Sequence, residues 1–264
     1  MTLSIEARVV DDPLGCRDWP AIERALDADG HAVLPALLDA GQCEALAARY
    51  ADDSAFRSHV VMARHGFGRG EYKYFAYPLP GLVASLRRDL YPRLAPVANR
   101  WNEQLGDATR FPPTHAAFLR RCHAAGQARP TPLLLAYGEG DYNCLHQDLY
   151  GEHVFPLQVA ILLSRPGIDF EGGEFVMTQG DAREQRADVV PLAQGDAVVF
   201  GVHRRPVPGR RGGMRQLAMR HGVSRVLQGH RHVVGIIFHD ARGPRAPTLP
   251  LVAAPVGAGR LGTG

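Results

Sequence analysis

Lysine is almost missing from this chain: of its 30 lysine-plus-arginine residues, only Lys73 is a lysine. With alanine, glycine and proline abundant, that bias is first of all the mark of a GC-rich coding sequence. It still has a chemical consequence, because arginine forks grip carboxylates and phosphates bidentately. Cysteine is also scarce. Cys16, Cys43, Cys122 and Cys144 are scattered without a CxxC pair, which excludes a zinc ribbon and gives no disulfide framework. Long apolar runs are absent too, which argues against a membrane-spanning helix. The start, MTLSIEARVVDD, lacks the basic and apolar regions of a secretory signal. A reducing cytoplasm and no membrane partner are therefore expected. Net charge is only +3, so the molecule as a whole is not a polycation.

What is present describes an ordinary globular protein, with 45% apolar and 22% charged residues over 264 positions. The first part reads as helical. Asp18 can cap a helix through about Leu26, and GHAVLPALL passes through a short extended piece. Asp39 with Gln42 forms a capping-box start to a helix ending near Tyr50. A longer helix is expected from Leu82 to Leu105, bent by Pro92 and Pro96, and another opens at Thr114 and ends near Gly126.

After Pro132 the texture changes to short strands. Phe155, Leu157, Val159, Ile161 and Leu163 are apolar at every second position, the period of a strand. Further strands are expected at 133–137, 173–177, 197–200, 214–221 and 233–238. Many short strands at this spacing predict a mainly β chain with N-terminal helices (α+β), built as a jelly-roll barrel rather than a βαβ sheet. The expected organisation is one cooperative unit. Residues 1–130 form a helical support and candidate lid, 131–240 the barrel, and 241–264 a flexible tail rich in Pro, Gly and Ala.

The chemistry concentrates in YGEGDYNCLHQD, Tyr137 to Asp148. An HxD tripeptide alone says little, since about 0.8 would arise by chance from 12 His in a chain of this composition. His146, however, is followed two places later by Asp148 just after a strand candidate, and positions i and i+2 of a strand point to one side. Downstream comes RHGVSRVLQGHRHVVGIIFHDA, in which His221 ends one strand candidate and Arg231 begins the next. A hairpin there brings both to the barrel mouth. Two histidines and a carboxylate on one face of an iron leave three positions open. His203, in GVHRRPV, is the rival third ligand; His221 is preferred because an arginine follows it on an apolar strand. His230 and His232 read as surface or supporting residues, and His239 as a structural one.

At these residues the chain resembles the Fe(II)- and 2-oxoglutarate-dependent dioxygenases of the prolyl-4-hydroxylase-like branch. Tyr137, Gly140 and His146 keep that branch's register of tyrosine, glycine and HxD. GGEF at Gly172 to Phe175, GDAVVF at Gly195 to Phe200, and a basic residue ten after the distal histidine also match. The resemblance implies a double-stranded β-helix with His146, Asp148 and His221 on Fe(II). It also implies Arg231 on the distal carboxylate of 2-oxoglutarate, Tyr137 helping to hold that co-substrate, and O2 as oxidant. Arginine stands where the branch commonly has lysine, compatible with the same role. LHQDLYG, FPLQVAILLS, RHGVSRV and GIIFHDA more narrowly resemble a bacterial oxygenase family assigned to oxidative action on damaged nucleic acid, over most of residues 30–241.

The substrate is the least legible part. From Ala197 to His239 there is no acidic residue, yet there are arginines at 204, 205, 210, 211, 215, 220, 225 and 231. That stretch suits an anionic substrate such as nucleic acid, or else serves 2-oxoglutarate through Arg231 and leaves solvated charges at the rim. FRSHVVMARHGFGRGEYKYFAYPLP, within 56–80, mixes cations with Phe67, Tyr72, Tyr74 and Phe75. It reads as a lid packed on the barrel, or as a surface on which bases stack. Peptidyl and small-molecule substrates, and a non-oxygenase metal-binding barrel, stay open as alternatives.

Overall fold

The computed structural model describes residues 14–149, 151–180, 185–209 and 212–243. The first stretch holds α1 (Trp19–Asp29), β1 (His31–Leu34), α2 (Ala40–Ala48), β2 (Phe56–Val61), β3 (Gly68–Arg69) and β4 (Glu71–Phe75). Two further helices follow, α3 (Gly81–Gln104) and α4 (His115–Ala124). Then come β5 (Gln127–Arg129), β6 (Leu133–Tyr137), β7 (Tyr142–His146), β8 (Leu157–Leu162), β9 (Phe170–Gly172) and β10 (Phe175–Gly180). The chain continues through β11 (Gln185–Val190), β12 (Ala197–Gly201), β13 (Arg204–Pro208) and β14 (Met214–Val223). It closes on β15 (Val226–Gly229), β16 (Arg231–Ile236) and β17 (Ala241–Arg242).

The helix ends follow from local chemistry. The Asp18 carboxylate accepts from the Ala21 N–H at 2.9 Å, and Asp39 with Gln42 closes a complete capping box. Gly30 ends α1 in the left-handed conformation at φ 74°, where a side chain would be strained. Thr114 caps α4.

Two antiparallel sheets face each other. The larger runs β1-β12-β8-β16-β6-β4-β2 and the smaller β11-β10-β14-β7-β3, with β13 added beside β14. Along β8 the pleat sends Leu157, Val159 and Ile161 outward, into one apolar core with Leu26, Leu90, Trp101 and Phe118 of the helices. Ala160 and Leu162, on the alternate face, pack inward between the sheets. The jelly roll is thus buttressed on one side by helices and hollow on the other.

Three expectations need correction. Residues 56–75 are not a loop: β2 pairs with β4, β4 pairs with β6 in the larger sheet, and β3 pairs with β7 in the smaller. The support region is therefore not purely helical, since β1 also lies in the barrel sheet against β12. The tail does not begin at 241: Ala241 and Arg242 pair with β5, whereas residues 244–264 lie outside the described residues. The strand at β13 was unexpected because it carries Pro206 and Pro208. It tolerates them as an edge, pairing among the described residues with β14 alone.

Candidate active site

His146 closes β7 and faces His221 of β14 directly across the ladder. Asp148 lies two residues beyond His146, just past the strand end. One ligand atom from each of the three lies within 4.8 Å of the others. His146 Nε2 is 3.4 Å from Asp148 Oδ1, His221 Nε2 is 3.4 Å from Asp148 Oδ2, and the two ring centroids are 4.2 Å apart. The Nδ1–H of His146 donates to the Cys144 carbonyl at 2.8 Å, which directs Nε2 toward the carboxylate. The approach of β7 to β14 depends on Gly222, where a Cβ would meet the Asn143 carbonyl oxygen at 2.6 Å.

Electrostatics bind the three groups together. Burial pushes the Asp148 carboxyl up, but the two imidazoles outweigh it and hold it well below the usual carboxylate range. Burial likewise pushes His146 down, and Asp148 more than restores it, so its pKa is raised. His221 is driven down, by burial first and by His146 second. Two nitrogens and a carboxylate on one side, with protons a cation would displace, suit a divalent transition metal.

The same cavity, about 770 Å³ including the space at its mouth, contains Tyr137 and Arg231. These two are directly paired across β6 and β16. Arg231 is 2% exposed, and its Nε and Nη1 have no partner among the described residues; nor does the buried Tyr137 hydroxyl. The guanidinium lies 5.5 Å from the Tyr137 ring centroid and 5.8 Å from that of Phe170. Burial pushes its pKa down to about 10, so it stays charged at neutral pH. Gly173, at φ 64°, leaves room for it: a Cβ there would meet Arg231 Cδ at 2.9 Å. A buried cation with unused donors, beside a hydroxyl and a metal-ligand set, fits a dicarboxylate that also reaches the metal.

The remaining candidates are dispersed. His203 stands apart, lining a different cavity with Asp107, Arg121 and His153. His239 accepts the Phe155 N–H through Nδ1, and the His232 ring meets Tyr50 edge-on. Lys73 is buried against Asp53 at 2.6 Å. Among the eight arginines, Arg204 pairs with Asp107 at 2.7 Å, and Arg205 is buried against Gln179 and the Asp27 carbonyl. Arg215, Arg220 and Arg225 face solvent, while Arg210 and Arg211 lie outside the described residues. Phe67, Tyr72 and Tyr74 line the main cavity. One residue escaped the sequence reading: Gln158 on β8, whose signal was a single polar side chain inside FPLQVAILLS.

Comparison with known proteins gives consistent results. Residues 70–241 match the family described as an oxygenase catalysing oxidative methylation of damaged DNA. An uncharacterised protein of Mycobacterium tuberculosis is 46% identical over 168 residues, 63% of this chain and 72% of that protein. Among solved structures, a Pseudomonas putida prolyl-4-hydroxylase is 16% identical with a TM-score of 0.50, over 85% of this chain and 100% of that one. A Trichoplax adhaerens prolyl hydroxylase in complex with a hypoxia inducible factor peptide fragment is 14% identical with a TM-score of 0.53, over 84% and 89%. These two show a shared fold. No helix among the described residues is long and apolar enough to cross a membrane. The chain belongs to the family of oxygenases described as acting on damaged DNA.

Proposed function

We propose that the protein is an Fe(II)- and 2-oxoglutarate-dependent dioxygenase, with His146, Asp148 and His221 as iron ligands. Arg231 and Tyr137 hold the distal carboxylate of 2-oxoglutarate. The observation that carries this reading is a metal-ligand set and an unpartnered buried guanidinium in one cavity. When bound, iron with O2 and 2-oxoglutarate supplies the oxidant that hydroxylates a substrate C–H bond, with succinate and CO2 released. The protein's own part is placement and dryness. The Cys144 carbonyl keeps His146 in one tautomer, Arg231 sets the depth of the co-substrate, and Phe175 and Phe200 exclude water around His221.

The substrate in this reading is a damaged, N-methylated nucleic acid base. Hydroxylating its methyl group gives a hemiaminal whose C–N bond then breaks to release formaldehyde. The family description supports damaged DNA as the substrate class, as do the solvent-facing Arg215, Arg220 and Arg225 on and just after β14, which suit a phosphate backbone. A peptide or small metabolite hydroxylated by the same chemistry is the alternative. The reaction belongs in a reducing cytoplasm, in keeping with four free cysteines. The test is succinate formation from 2-oxoglutarate by iron-loaded protein, with and without methylated single-stranded DNA. His146→Ala and Asp148→Ala should abolish turnover; turnover equal to wild type in both would refute the ligand assignment.

A further inference from the structure

The inner face of β8 carries a carboxamide that no step above uses. Gln158 is 4% exposed, and its Nε2 has no partner among the described residues. A buried, unpaired amide is costly, so a position that needed only volume would take leucine or methionine. Gln158 lies on the wall of the cavity that holds the three candidate ligands.

Its place along the strands separates it from the co-substrate's anchor. On β8, Val159 stands opposite Ile236 of β16, five residues beyond Arg231, which is about 17 Å along the strand. On its other side Gln158 pairs with Phe200, whose ring centroid lies 4.5 Å from that of His221. The carboxamide is therefore near the metal-ligand end, with Arg231 at the other. Beside it on β12 stands Phe200, whose ring centroid lies 5.1 Å from that of Phe175, and Tyr72 and Tyr74 line the same cavity from β4; all four are flat faces suited to a planar ring. Apart from the ligand set and Arg231, no charged side chain among the described residues lines that cavity.

Resting on the dioxygenase reading above, we propose that Gln158 is a specificity-determining residue. Its Nε2–H donates to an acceptor on the edge of a nucleobase extruded between the aromatic walls. A carboxamide offers one donor and one acceptor in a plane, the complement of a base edge.

The test compares wild type with Gln158→Met, which keeps the volume without the donor, and Gln158→Glu, which replaces the donor with an acceptor. The probes are single-stranded oligonucleotides carrying 1-methyladenine or 3-methylcytosine, a proline-containing peptide, and 2-oxoglutarate alone. Both variants should raise the KM for the methylated oligonucleotide about tenfold, leaving the Kd for 2-oxoglutarate within twofold. Gln158→Met should also melt at or above the wild-type temperature, showing that it folds. An unchanged oligonucleotide KM, or an effect on 2-oxoglutarate affinity instead, would overturn the assignment. So would a wild type stimulated by the peptide, or by no oligonucleotide while still turning over 2-oxoglutarate. A wild type with no 2-oxoglutarate turnover would instead bring down the dioxygenase reading itself.

Discussion

Replacing Arg231 with methionine should make the ligand-free protein more stable and the co-substrate unable to bind. The guanidinium is 2% exposed with two nitrogens unpartnered among the described residues, and burial lowers its pKa to about 10. At 1.36 kcal/mol per tenfold change in the protonation equilibrium, holding this charge inside the barrel costs about 3 kcal/mol. Methionine keeps most of the apolar stem and removes that cost. Some packing is lost, so a net gain of about 1 kcal/mol is expected, or a Tm rise of roughly 2–4 °C. Binding moves the other way. Charge-assisted hydrogen bonds contribute about 1.5–3 kcal/mol each, and losing two should weaken 2-oxoglutarate at least about 100-fold. Thermal denaturation with a redox-inert divalent metal, with and without 2-oxoglutarate, reads both effects. Wild type should be stabilised by 2-oxoglutarate and the variant should not. A variant that melts well below wild type yet still responds to 2-oxoglutarate would refute the reasoning.

Other outcomes follow from the same geometry. Gly222→Ala should push β14 away from β7, because its Cβ would meet the Asn143 carbonyl oxygen at 2.6 Å; metal affinity should fall at least tenfold in an anaerobic titration. Arg87→Ala should cost about 3 kcal/mol in urea denaturation, since it removes the cation paired at 2.7 Å with the buried Asp240 carboxylate and leaves that charge with only the Tyr77 hydroxyl and His123. Acid should destabilise the fold well above the carboxylate range. Burial holds His115 near pKa 4 and His239 near 3, so below the unfolded pKa of about 6.5 the unfolded chain takes up protons that the fold refuses. Stability is therefore kept above about pH 6.5 and lost as pH falls. At pH 5 each histidine should cost about 2 kcal/mol; equal urea midpoints at pH 7 and pH 5 would contradict this.

The barrel was legible wherever local chemistry and tertiary packing agree. The alternation from Leu157 to Leu163 announced β8 because the larger sheet separates a helix-covered face from an inner one. The Asp39–Gln42 box announced α2 because capping is local. His146 and Asp148 could be paired by strand spacing, but their meeting with His221, 73 positions on from Asp148 in the sequence, depends on β7 lying beside β14. No local signal carries that. Residues 56–75 were misread because their aromatics and glycines also suit a loop; only pairing with β6 and β7 makes them strands. The arginine-rich stretch looked like one basic surface. Folding instead divides it, sending Arg231 into the barrel, tying Arg204 and Arg205 to acidic and amide partners, and leaving Arg215, Arg220 and Arg225 in solvent. Gln158 was hidden for a related reason: a polar residue in an apolar strand gains meaning only once its face is known.

The most direct measurement is anaerobic Fe(II) titration of wild type, His221→Ala and His203→Ala. Wild type and His203→Ala should each bind one equivalent, and His221→Ala should lose it. Full binding by His221→Ala, or its loss in His203→Ala alone, would contradict the account of the metal centre.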